Sequence, residues 1–405
     1  MIKVLFINYS YGIGSTGRLI SELDEVMDKE KYEVLVACKK TSVFRQGIYL
    51  IGNRATHLVA GLYSRVSGLQ GYGCVGQTQK LIKWIKREKP NIIHLHNLHG
   101  NYLNMRILFD FLKEYKGKIV WTLHDCWTFT GNCSYYEISK CAKWKNGEEC
   151  KECPNIKKYP PSWFFDRSHK IYKDKRSWYE GLVGKIRFVT VSEWLKGEAE
   201  QSMFKNGKIE TIYNWVDRDV FLPRNMEKIR QKFKKSTLLF SAASVWSSDK
   251  GLNDIYELAE HLDATTGIVL AGKCKDNKRN SDVFFVGELS KSEMADYYNA
   301  ADIYLNLSIE ETFGLTTAEA ISCGTPVIVM NSTANPEVAG ECGIKLNKFS
   351  PRLVIDAIEA IKNNPEMYSC ANCQKWVEEN FTRDMGCEKY LALYEEVAGI
   401  KNRPH

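Results

Sequence analysis

Short apolar runs alternate with longer amphipathic segments along most of this chain, and the alternation starts a second time after about Asp217. The apolar runs have the length of strands buried on both faces, and the segments between them have the length of helices. Strands that alternate with helices indicate a parallel sheet covered on both faces, and right-handed crossovers make such a sheet doubly wound. The pattern therefore predicts two doubly wound α/β domains.

The predicted elements fall into two sets. In the first half, strands are predicted at Lys3–Asn8, Glu33–Ala37, Ile92–Leu95, Ile119–Leu123 and Phe188–Val191, and helices at Arg18–Met27, Thr78–Arg87, Leu103–Lys116 and Glu193–Phe204. In the second half, strands are predicted at Leu238–Ala243, Ile268–Ala271, Phe284–Val286, Ile303–Leu307 and Val327–Met330, and helices at Leu252–Leu262, Lys291–Ala300, Leu315–Ser322, Val354–Lys362, Met367–Glu379 and Glu388–Val397.

A length of 405 residues is too great for one ordinary core, and a charged stretch from Asn214 to Lys235 is the predicted linker. The expected domains are 1–215, 216–380 and a C-terminal helical segment, 381–405, that crosses back to the first domain. The segment Cys126–Tyr179 interrupts the alternation of strands and helices and is longer than a normal connection. It is therefore interpreted as an irregular insertion at about 126–179. Ligands bind such sheets at their carboxyl-end loops.

The composition of the chain limits the classes of function that it can have. The apolar content of 44% and charged content of 26% are those of a globular protein. The net charge of +7 suits acidic small molecules or an anionic membrane surface, and no nucleic-acid partner is expected. Residues 1–8 read as a strand, and no apolar run approaches the roughly 18 residues of a membrane span. We therefore expect a cytoplasmic protein, or one held peripherally at the inner face of the membrane, with its 13 cysteines reduced.

Two carboxylates, Glu311 and Glu319, flank a Phe-Gly-Leu turn between a predicted strand and a predicted helix. Unpaired backbone N–H groups and the helix dipole make such a helix start an anion site. Carboxylates would repel an anion there unless the ligand also carries hydroxyl groups. A sugar joined to a nucleoside diphosphate meets both conditions.

Further segments around this turn resemble a known family. They are Phe285-Val286-Gly287-Glu288-Leu289, Tyr298-Asn299-Ala300-Ala301-Asp302, Glu311-Thr312-Phe313-Gly314-Leu315, Glu319-Ala320, Gly324-Thr325-Pro326-Val327 and Pro336-Glu337, with Val189-Thr190-Val191-Ser192 and Asn214-Trp215-Val216-Asp217 before them. The ordered set resembles the retaining glycosyltransferase family 4, and in particular bacterial capsular and exopolysaccharide enzymes. The resemblance implies the GT-B fold, in which two Rossmann-like domains face each other across a cleft.

The resemblance also implies roles in binding a nucleotide-sugar donor. Glu311 would act at the catalytic centre by holding hydroxyls of the donor sugar, and Glu319 would hold the ribose. Backbone N–H groups of Phe313, Gly314 and Leu315 would receive the diphosphate or the sugar. Lys250 would neutralise the departing diphosphate. Ser244 is a further candidate donor contact, in a segment where many relatives have an arginine and this chain has none. The alternatives are that Glu311 is only a carboxylate at a helix end, that Glu319 is a surface carboxylate and that Lys250 is a solvated lysine.

A glycine loop after the first strand, Tyr11–Arg18, is a second candidate phosphate site. A nicotinamide site would need an acidic residue at the end of the second strand, where Val36–Lys40 is basic instead. In the resembling family this loop faces the donor phosphate, which assigns Gly14 and Ser15 to the donor.

Histidines follow two strands of the first half. The resemblance places His124 near the donor sugar as a second catalytic candidate, with Asp125 orienting its ring. His96, Asn97 and His99 are candidate acceptor contacts, while His94 and His96 could share a metal and any of these histidines could be structural. No side chain stands out as a nucleophile and no catalytic metal is expected, which fits a mechanism in which the leaving phosphate helps to deprotonate the acceptor.

Four cysteines of the insertion, Cys133, Cys141, Cys150 and Cys153, have a spacing that a structural zinc ion could use, with plain reduced thiols as the alternative. The segment Tyr159–Phe165 is a candidate membrane or acceptor-lipid contact. The helix at Gln79–Arg87 is interpreted as a cover for the sheet, although its cations would also suit a membrane.

The function expected from these features is transfer of a sugar from a UDP-sugar, in preference to a GDP-sugar, to a glycan or lipid-linked glycan acceptor. Two alternatives stay open. One is a sugar-nucleotide epimerase on the same fold, and the other is a non-catalytic scaffold partner.

Overall fold

The computed structural model describes residues 1–145, 149–275 and 280–399. Residues 146–148 of the predicted insertion and 400–405 of the predicted C-terminal segment lie outside the described residues. The chain divides into two compact units, the first formed by Met1–Ile212 with Cys387–His405 and the second by Tyr213–Gly386. Each unit is a parallel α/β structure, as the sequence pattern predicts.

The first unit has a parallel sheet with the strand order β3-β2-β1-β4-β5-β6-β7 over its described residues. Its strands are β1 (Ile2–Tyr11), β2 (Tyr32–Thr41), β3 (Ile48–Leu50), β4 (Ile92–Leu95), β5 (Lys118–Leu123), β6 (Ile186–Thr190) and β7 (Lys208–Thr211). Its helices are α1 (Gly14–Val26), α2 (Arg54–Ser67), α3 (Val75–Glu88), α4 (Met105–Glu114), α5 (Ser168–Tyr179) and α6 (Glu193–Glu200).

The second unit has a parallel sheet with the order β10-β9-β8-β11-β12-β13 in the part of the chain described. Its strands are β8 (Thr237–Val245), β9 (Thr266–Lys273), β10 (Val283–Gly287), β11 (Ile303–Asn306), β12 (Val327–Met330) and β13 (Gly343–Leu346). Its helices are α7 (Glu227–Arg230), α8 (Leu252–Ala259), α9 (Lys291–Ala300), α10 (Leu315–Ser322), α11 (Asn335–Ala339), α12 (Pro351–Asn363) and α13 (Cys370–Asn380). The last helix, α14 (Arg383–Ala398), begins in this unit.

Three strands are not predicted from the sequence, namely β3, β7 and β13. Each lies at an edge of its sheet and is only partly buried. An edge strand has one neighbour and needs no continuous apolar run, so the signal that marks the central strands is weak there.

The insertion is more regular than predicted, because α5 occupies its C-terminal part. The Lys175 side chain of α5 is buried and donates hydrogen bonds to the backbone carbonyls of Trp127 and Thr130, the second over 3.0 Å. Burial lowers the pKa of Lys175 to about 7. The lysine thereby ties α5 to the segment that follows β5.

The side chains at the ends of two strands fasten the last helix to the first unit. The Tyr394 hydroxyl lies 2.6 Å from His94 Nδ1, and the Tyr390 hydroxyl lies 3.0 Å from Thr122 Oγ1. All four residues are buried. This contact explains why the residues from Cys387 onward belong to the first unit.

The helix α3 packs on the sheet, as its interpretation as a cover requires. Its buried residues are Thr78, Leu81 and Ile85, and Trp84 stacks on Tyr49 of β3 with ring centroids 5.0 Å apart. Within the described ranges, no helix has both the length and the apolar character needed to cross a membrane.

Candidate active site

In the second unit, residues 307–314 form a loop between β11 and α10 that buried amides hold in place. The Asn306 side-chain amide donates to Thr317 Oγ1 over 3.0 Å, and the Asn335 amide donates to the Ser308 carbonyl over 2.7 Å. The Ser308 N–H donates to Asn306 Oδ1 over 3.1 Å. Neither asparagine is predicted as a site residue. A polar residue at the last position of a buried apolar strand, such as Asn306, is the signal that points to this role.

The loop ends in a helix start that is open to an anion. Gly314 has a φ of 93°, in the left-handed region that favours glycine, and stands at the N-cap of α10 without a side-chain capping bond. The first N–H groups of a helix have no intrahelical acceptor, so those of Leu315 and Thr316 point out of the helix end, whereas the Thr317 N–H donates to the Gly314 carbonyl over 3.0 Å. Phe313 is buried and packs edge-on against Phe381 at 5.3 Å, which anchors the turn.

Lys250 and Glu311 form an ion pair beside this helix start. Lys250 Nζ lies 2.6 Å from Glu311 Oε1 and 3.3 Å from the Ser308 hydroxyl. The two side chains are 35% and 21% exposed, so a ligand can reach both. A Cβ on Gly251 would lie 2.9 Å from Leu307 Cβ, which shows how closely the lysine segment approaches the end of β11. The fold thus brings together two residues that are 61 positions apart.

Glu319 has a different partner from Glu311. The Tyr298 hydroxyl donates to Glu319 Oε2 over 3.1 Å. Tyr298 is fully buried, and burial together with the neighbouring carboxylate raises its pKa well above the ordinary value, so it remains a donor. Tyr298 is a positioning residue that the sequence pattern contains but does not assign.

Ser244, a candidate donor contact, lies exposed on β8.

In the first unit, the loop after β1 leads directly into α1. Gly12 and Gly14 have φ values of 72° and 70°, and Gly14 is the first residue of α1. The Gly12 N–H donates to the Gly17 carbonyl over 2.8 Å, and a Cβ on Gly17 would lie 2.7 Å from Ser10 Oγ, so the turn is tight. Gly14 and Ser15 are exposed, which leaves this second helix start accessible.

The parallel register brings the histidines after β4 and β5 to the same edge of the first sheet. His96 Nδ1 lies 3.0 Å from His124 Nε2. His96 Nε2 is buried and has no hydrogen-bond partner among the described residues. A buried polar atom of this kind is available to a ligand hydroxyl. Asn97, the neighbour of His96, donates its N–H to Asn8 Oδ1 over 3.2 Å.

Asp125 contacts His99 in addition to lying near His124. Its Oδ2 lies 2.8 Å from His99 Nε2, and its Oδ1 accepts the Trp127 N–H over 2.9 Å. The other ring nitrogen of His99 lies 2.9 Å from the Tyr159 hydroxyl. Asp125 also interacts electrostatically with His124, so the expectation that it orients the His124 ring stays a prediction.

His94 is a buried structural residue in this structure. Its two ring nitrogens contact Tyr394 and Thr122, at 2.6 Å and 2.8 Å. Its ring lies against that of His96 with centroids 4.0 Å apart. Within the described residues no group of three or more His, Cys, Asp or Glu could hold a metal ion. The alternative of a metal shared by His94 and His96 has no support.

The four cysteines of the insertion lie near one another, but the predicted zinc site is not supported by the arrangement of the described residues. The Cys133 thiol shares a hydrogen bond with Cys153, which raises the pKa of Cys133 and lowers that of Cys153. Cys150 Sγ accepts the Gly131 N–H over 3.2 Å, and burial raises its pKa to about 12. Cys141 is half-buried. The zinc prediction therefore has no support in the described residues, where Cys133 hydrogen-bonds to Cys153 and Cys150 accepts a backbone N–H.

Burial makes the histidine cluster sensitive to acid. It lowers the pKa of His124 to about 4 and those of His94 and His96 well below 6.5. The unfolded chain therefore binds more protons than the folded chain between pH 6.5 and 4, and stability falls as the pH falls through that window. We expect the free energy of unfolding to decrease by up to about 1.4 kcal/mol per pH unit for each histidine.

Urea denaturation at several pH values between 7 and 4.5 measures this dependence. His124→Gln is expected to reduce its slope, whereas His261→Gln, at an exposed position of the second unit, leaves the slope as it is. An equal slope in all three proteins would show that His124 is not a neutral buried group.

Comparisons with known proteins agree with this architecture. Residues 16–220, just over half of the chain, match the family described as Glycosyltransferase Family 4, and residues 224–378 match that described as Glycosyl transferases group 1. A protein of Escherichia coli strain K12 named as a colanic acid biosynthesis glycosyl transferase, WcaC, is 27% identical over 278 residues, 67% of each chain. The N-acetyl-alpha-D-glucosaminyl L-malate synthase of Bacillus anthracis is 24% identical over 223 residues, 51% of this chain and 58% of that protein.

Solved structures share the fold along the whole chain. Sucrose-phosphate synthase from Thermosynechococcus elongatus superposes with a TM-score of 0.70 at 14% identity, covering 99% of this chain and 100% of that one. HepE of Anabaena, solved in complex with UDP-glucose, gives a TM-score of 0.67 at 13% identity and covers 98% and 100%. At these identities the likeness shows the fold. With the family match over half of its length, the chain belongs to glycosyltransferase family 4 and is a glycosyltransferase of the GT-B fold.

Proposed function

We propose that this glycosyltransferase moves a sugar, with retention of configuration, from a UDP-sugar to a lipid-linked glycan acceptor in the synthesis of a surface polysaccharide. The observation that carries the proposal is the Lys250–Glu311 ion pair beside the open start of α10. It places a cation for a diphosphate and an acceptor of sugar hydroxyl hydrogen bonds within one hydrogen-bond length of each other.

Donor binding requires this pair to rearrange. A diphosphate competes with Glu311 for the Lys250 ammonium, and the N–H groups at the start of α10 add to the attraction. Once released from the lysine, the Glu311 carboxylate can accept hydrogen bonds from two sugar hydroxyls. Glu319, already oriented by Tyr298, can accept from ribose hydroxyls in the same way.

In the first unit, the histidine cluster suits a neutral hydroxyl-bearing ligand. His96 and His124 have lowered pKa values and carry no charge at neutral pH, so they can donate and accept hydrogen bonds without attracting phosphate. His96 Nε2 is available for such a bond. We propose that His96, Asn97 and His99 contact the acceptor and that His124 contacts the transferred sugar.

The proposed reaction needs no protein nucleophile. The bond from the anomeric carbon to the diphosphate oxygen breaks, and the acceptor oxygen bonds to that carbon from the same face. The proton of the acceptor hydroxyl passes to the leaving diphosphate. Lys250 and the N–H groups of α10 stabilise the charge that develops on the diphosphate, which is where preorganised donors contribute most to rate.

The choices of donor and pathway rest on the relatives. The Anabaena structure contains UDP-glucose, and the Escherichia coli protein is named for colanic acid biosynthesis. A further Escherichia coli relative, 36% identical over 82 residues covering 20% of each chain, is named O-antigen chain mannosyltransferase B. These names support a nucleotide sugar and a surface glycan for this chain.

A thermal-shift screen against UDP-, GDP- and ADP-sugars tests the proposal. At about 100 times its dissociation constant a donor stabilises by about 2.7 kcal/mol, so we expect one UDP-sugar to raise the Tm by about 5–10 °C. Lys250→Met should abolish the shift, and Lys348→Met, at an exposed position of the same unit, should preserve it.

The absence of a shift with every UDP-sugar, in a protein that unfolds cooperatively, would overturn the choice of donor. Conversion of the donor to an isomer without added acceptor would favour an epimerase. Equal shifts in Lys250→Met and wild type would remove Lys250 from the donor site.

A further inference from the structure

The helix α2 buries small residues and exposes its apolar ones, which is the reverse of an ordinary surface helix. Its buried residues are small ones, Ala60, Gly61 and Ser64. Its apolar residues point outward instead, with exposures of 66% for Leu58, 70% for Val59, 54% for Leu62, 43% for Tyr63 and 38% for Val66. A surface helix normally buries its apolar stripe against the core. Exposure of this apolar stripe to water is therefore energetically unfavourable.

A second group of exposed apolar side chains adjoins the end of α2. The Trp163 N–H donates to the Arg65 carbonyl over 2.7 Å, and a Cβ on Gly68 would lie 2.4 Å from the Phe165 carbonyl oxygen. Trp163, Phe164 and Phe165 are 46%, 70% and 50% exposed. Together with the five outward residues of α2 they form what we call the apolar face, which lies wholly within the first unit.

The charges beside the apolar face are almost all positive. The helix α2 contains no Asp or Glu and carries exposed Arg54 and Arg65. The Lys157 Nζ donates to the Trp163 carbonyl over 2.6 Å, and the Arg167 guanidinium lies 5.3 Å from the centre of the Phe165 ring.

The one carboxylate of the segment 157–167 is used within its own loop. Asp166 accepts N–H groups of Cys153 and Ser168 over 2.6 Å and 2.8 Å, and these bonds help to lower its pKa. Little negative charge therefore offsets the cations around the apolar face.

We propose that the apolar face docks on a bilayer that contains anionic lipids. Apolar side chains of α2 and the aromatic segment would enter the boundary between headgroups and acyl chains, and the flanking arginines and lysine would pair with lipid phosphates. Exposed tryptophan next to arginine is typical of side chains at a membrane interface. A two-fold dimer through this face would place the same cations opposite each other, which argues against a second copy as its occupant.

The apolar face is also linked to the histidines that follow β4 and β5. Tyr159, four residues before Trp163, contacts His99 over 2.9 Å. Docking would therefore hold the proposed acceptor contacts close to the lipid surface, where a lipid-linked acceptor resides. This last step rests on the proposed function, whereas the docking itself does not.

Co-flotation with vesicles tests the docking. Wild type is expected to float with phosphatidylcholine vesicles that contain about 30% phosphatidylglycerol, at about 0.05 M salt, and to lose at least about tenfold in affinity at about 0.5 M salt. Val59→Glu/Phe164→Glu, which places carboxylates at the two most exposed positions of the face, should lose binding by a similar factor. Met367→Glu, at an exposed apolar position of the second unit, should bind as wild type does.

Failure of wild type to float at low salt, or equal flotation of the double variant, would overturn the proposal. A wild-type dimer in solution that the double variant dissociates would assign the face to a second copy and also overturn it. The donor-induced Tm shift separates the two hypotheses. Lost flotation with an intact shift contradicts only the docking surface, and intact flotation without any shift contradicts only the proposed donor.

Discussion

Replacing Glu311 with glutamine should lower kcat/KM for sugar transfer by at least about 100-fold. Glutamine keeps the shape of the side chain but loses the charge that pairs with Lys250 at 2.6 Å and that would accept sugar hydroxyls. The interaction gains importance as charge develops on the sugar and the diphosphate, so the loss should fall mainly on kcat. Steady-state transfer with the donor found by thermal shift measures it.

Glu341→Gln is the matched control, since Glu341 is an exposed carboxylate of the same unit. It should leave kcat/KM within about twofold, as surface changes away from a site usually do. A double-mutant cycle adds a second check. If Lys250 and Glu311 act together, Lys250→Met in the Glu311→Gln background should cost less than in wild type. Transfer by Glu311→Gln at the wild-type rate would remove Glu311 from the catalytic centre.

Gly272→Ala should destabilise the second unit by about 3–5 kcal/mol, the largest stability effect we expect from a single methyl group. Gly272 lies in β9 with a φ of 117°, and an added Cβ would lie 1.7 Å from the Ala243 carbonyl oxygen of β8. That oxygen belongs to the backbone of a central strand and cannot move aside cheaply. Urea denaturation followed by far-UV circular dichroism measures the change.

The variant Gly287→Ala measures the cost of backbone strain without the clash that Gly272→Ala introduces. Gly287 also has a positive φ, 78°, but nothing lies within 4 Å of its added Cβ. We expect only the cost of a left-handed alanine, about 1–2 kcal/mol. If the two substitutions cost the same, the close approach of β8 to Gly272 is not what destabilises the variant.

The fold could be predicted from the sequence because its signals are local. A buried central strand such as β4 or β11 is a short apolar run in any context, and its burial in the structure is complete. The helix α2 shows where local signals fail. Its apolar residues recur at helical spacing, but a local pattern does not show that they face outward while small residues are buried instead.

The candidate site was predictable as a set of residues but not as a set of contacts. The turn around Gly314 is encoded by adjacent residues, and its helix start follows from local chemistry. The contact of Asp125 with His99 depends on how the turn after β5 bends toward the loop after β4. The cysteine spacing likewise left the choice between zinc and thiols to the tertiary arrangement.

By itself, the sequence determined two parallel α/β units and a strand–turn–helix carrying Glu311 and Glu319, since periodicity and turn chemistry act over a few neighbouring residues. Only the tertiary structure decided that Lys250 pairs with Glu311, that His96 faces His124 and that α2 adjoins Trp163. The first two pairs sit at the ends of adjacent parallel strands, and Trp163 reaches α2 from a distant loop. Strand order and the return of a loop are set by packing of the whole unit, which no local pattern encodes.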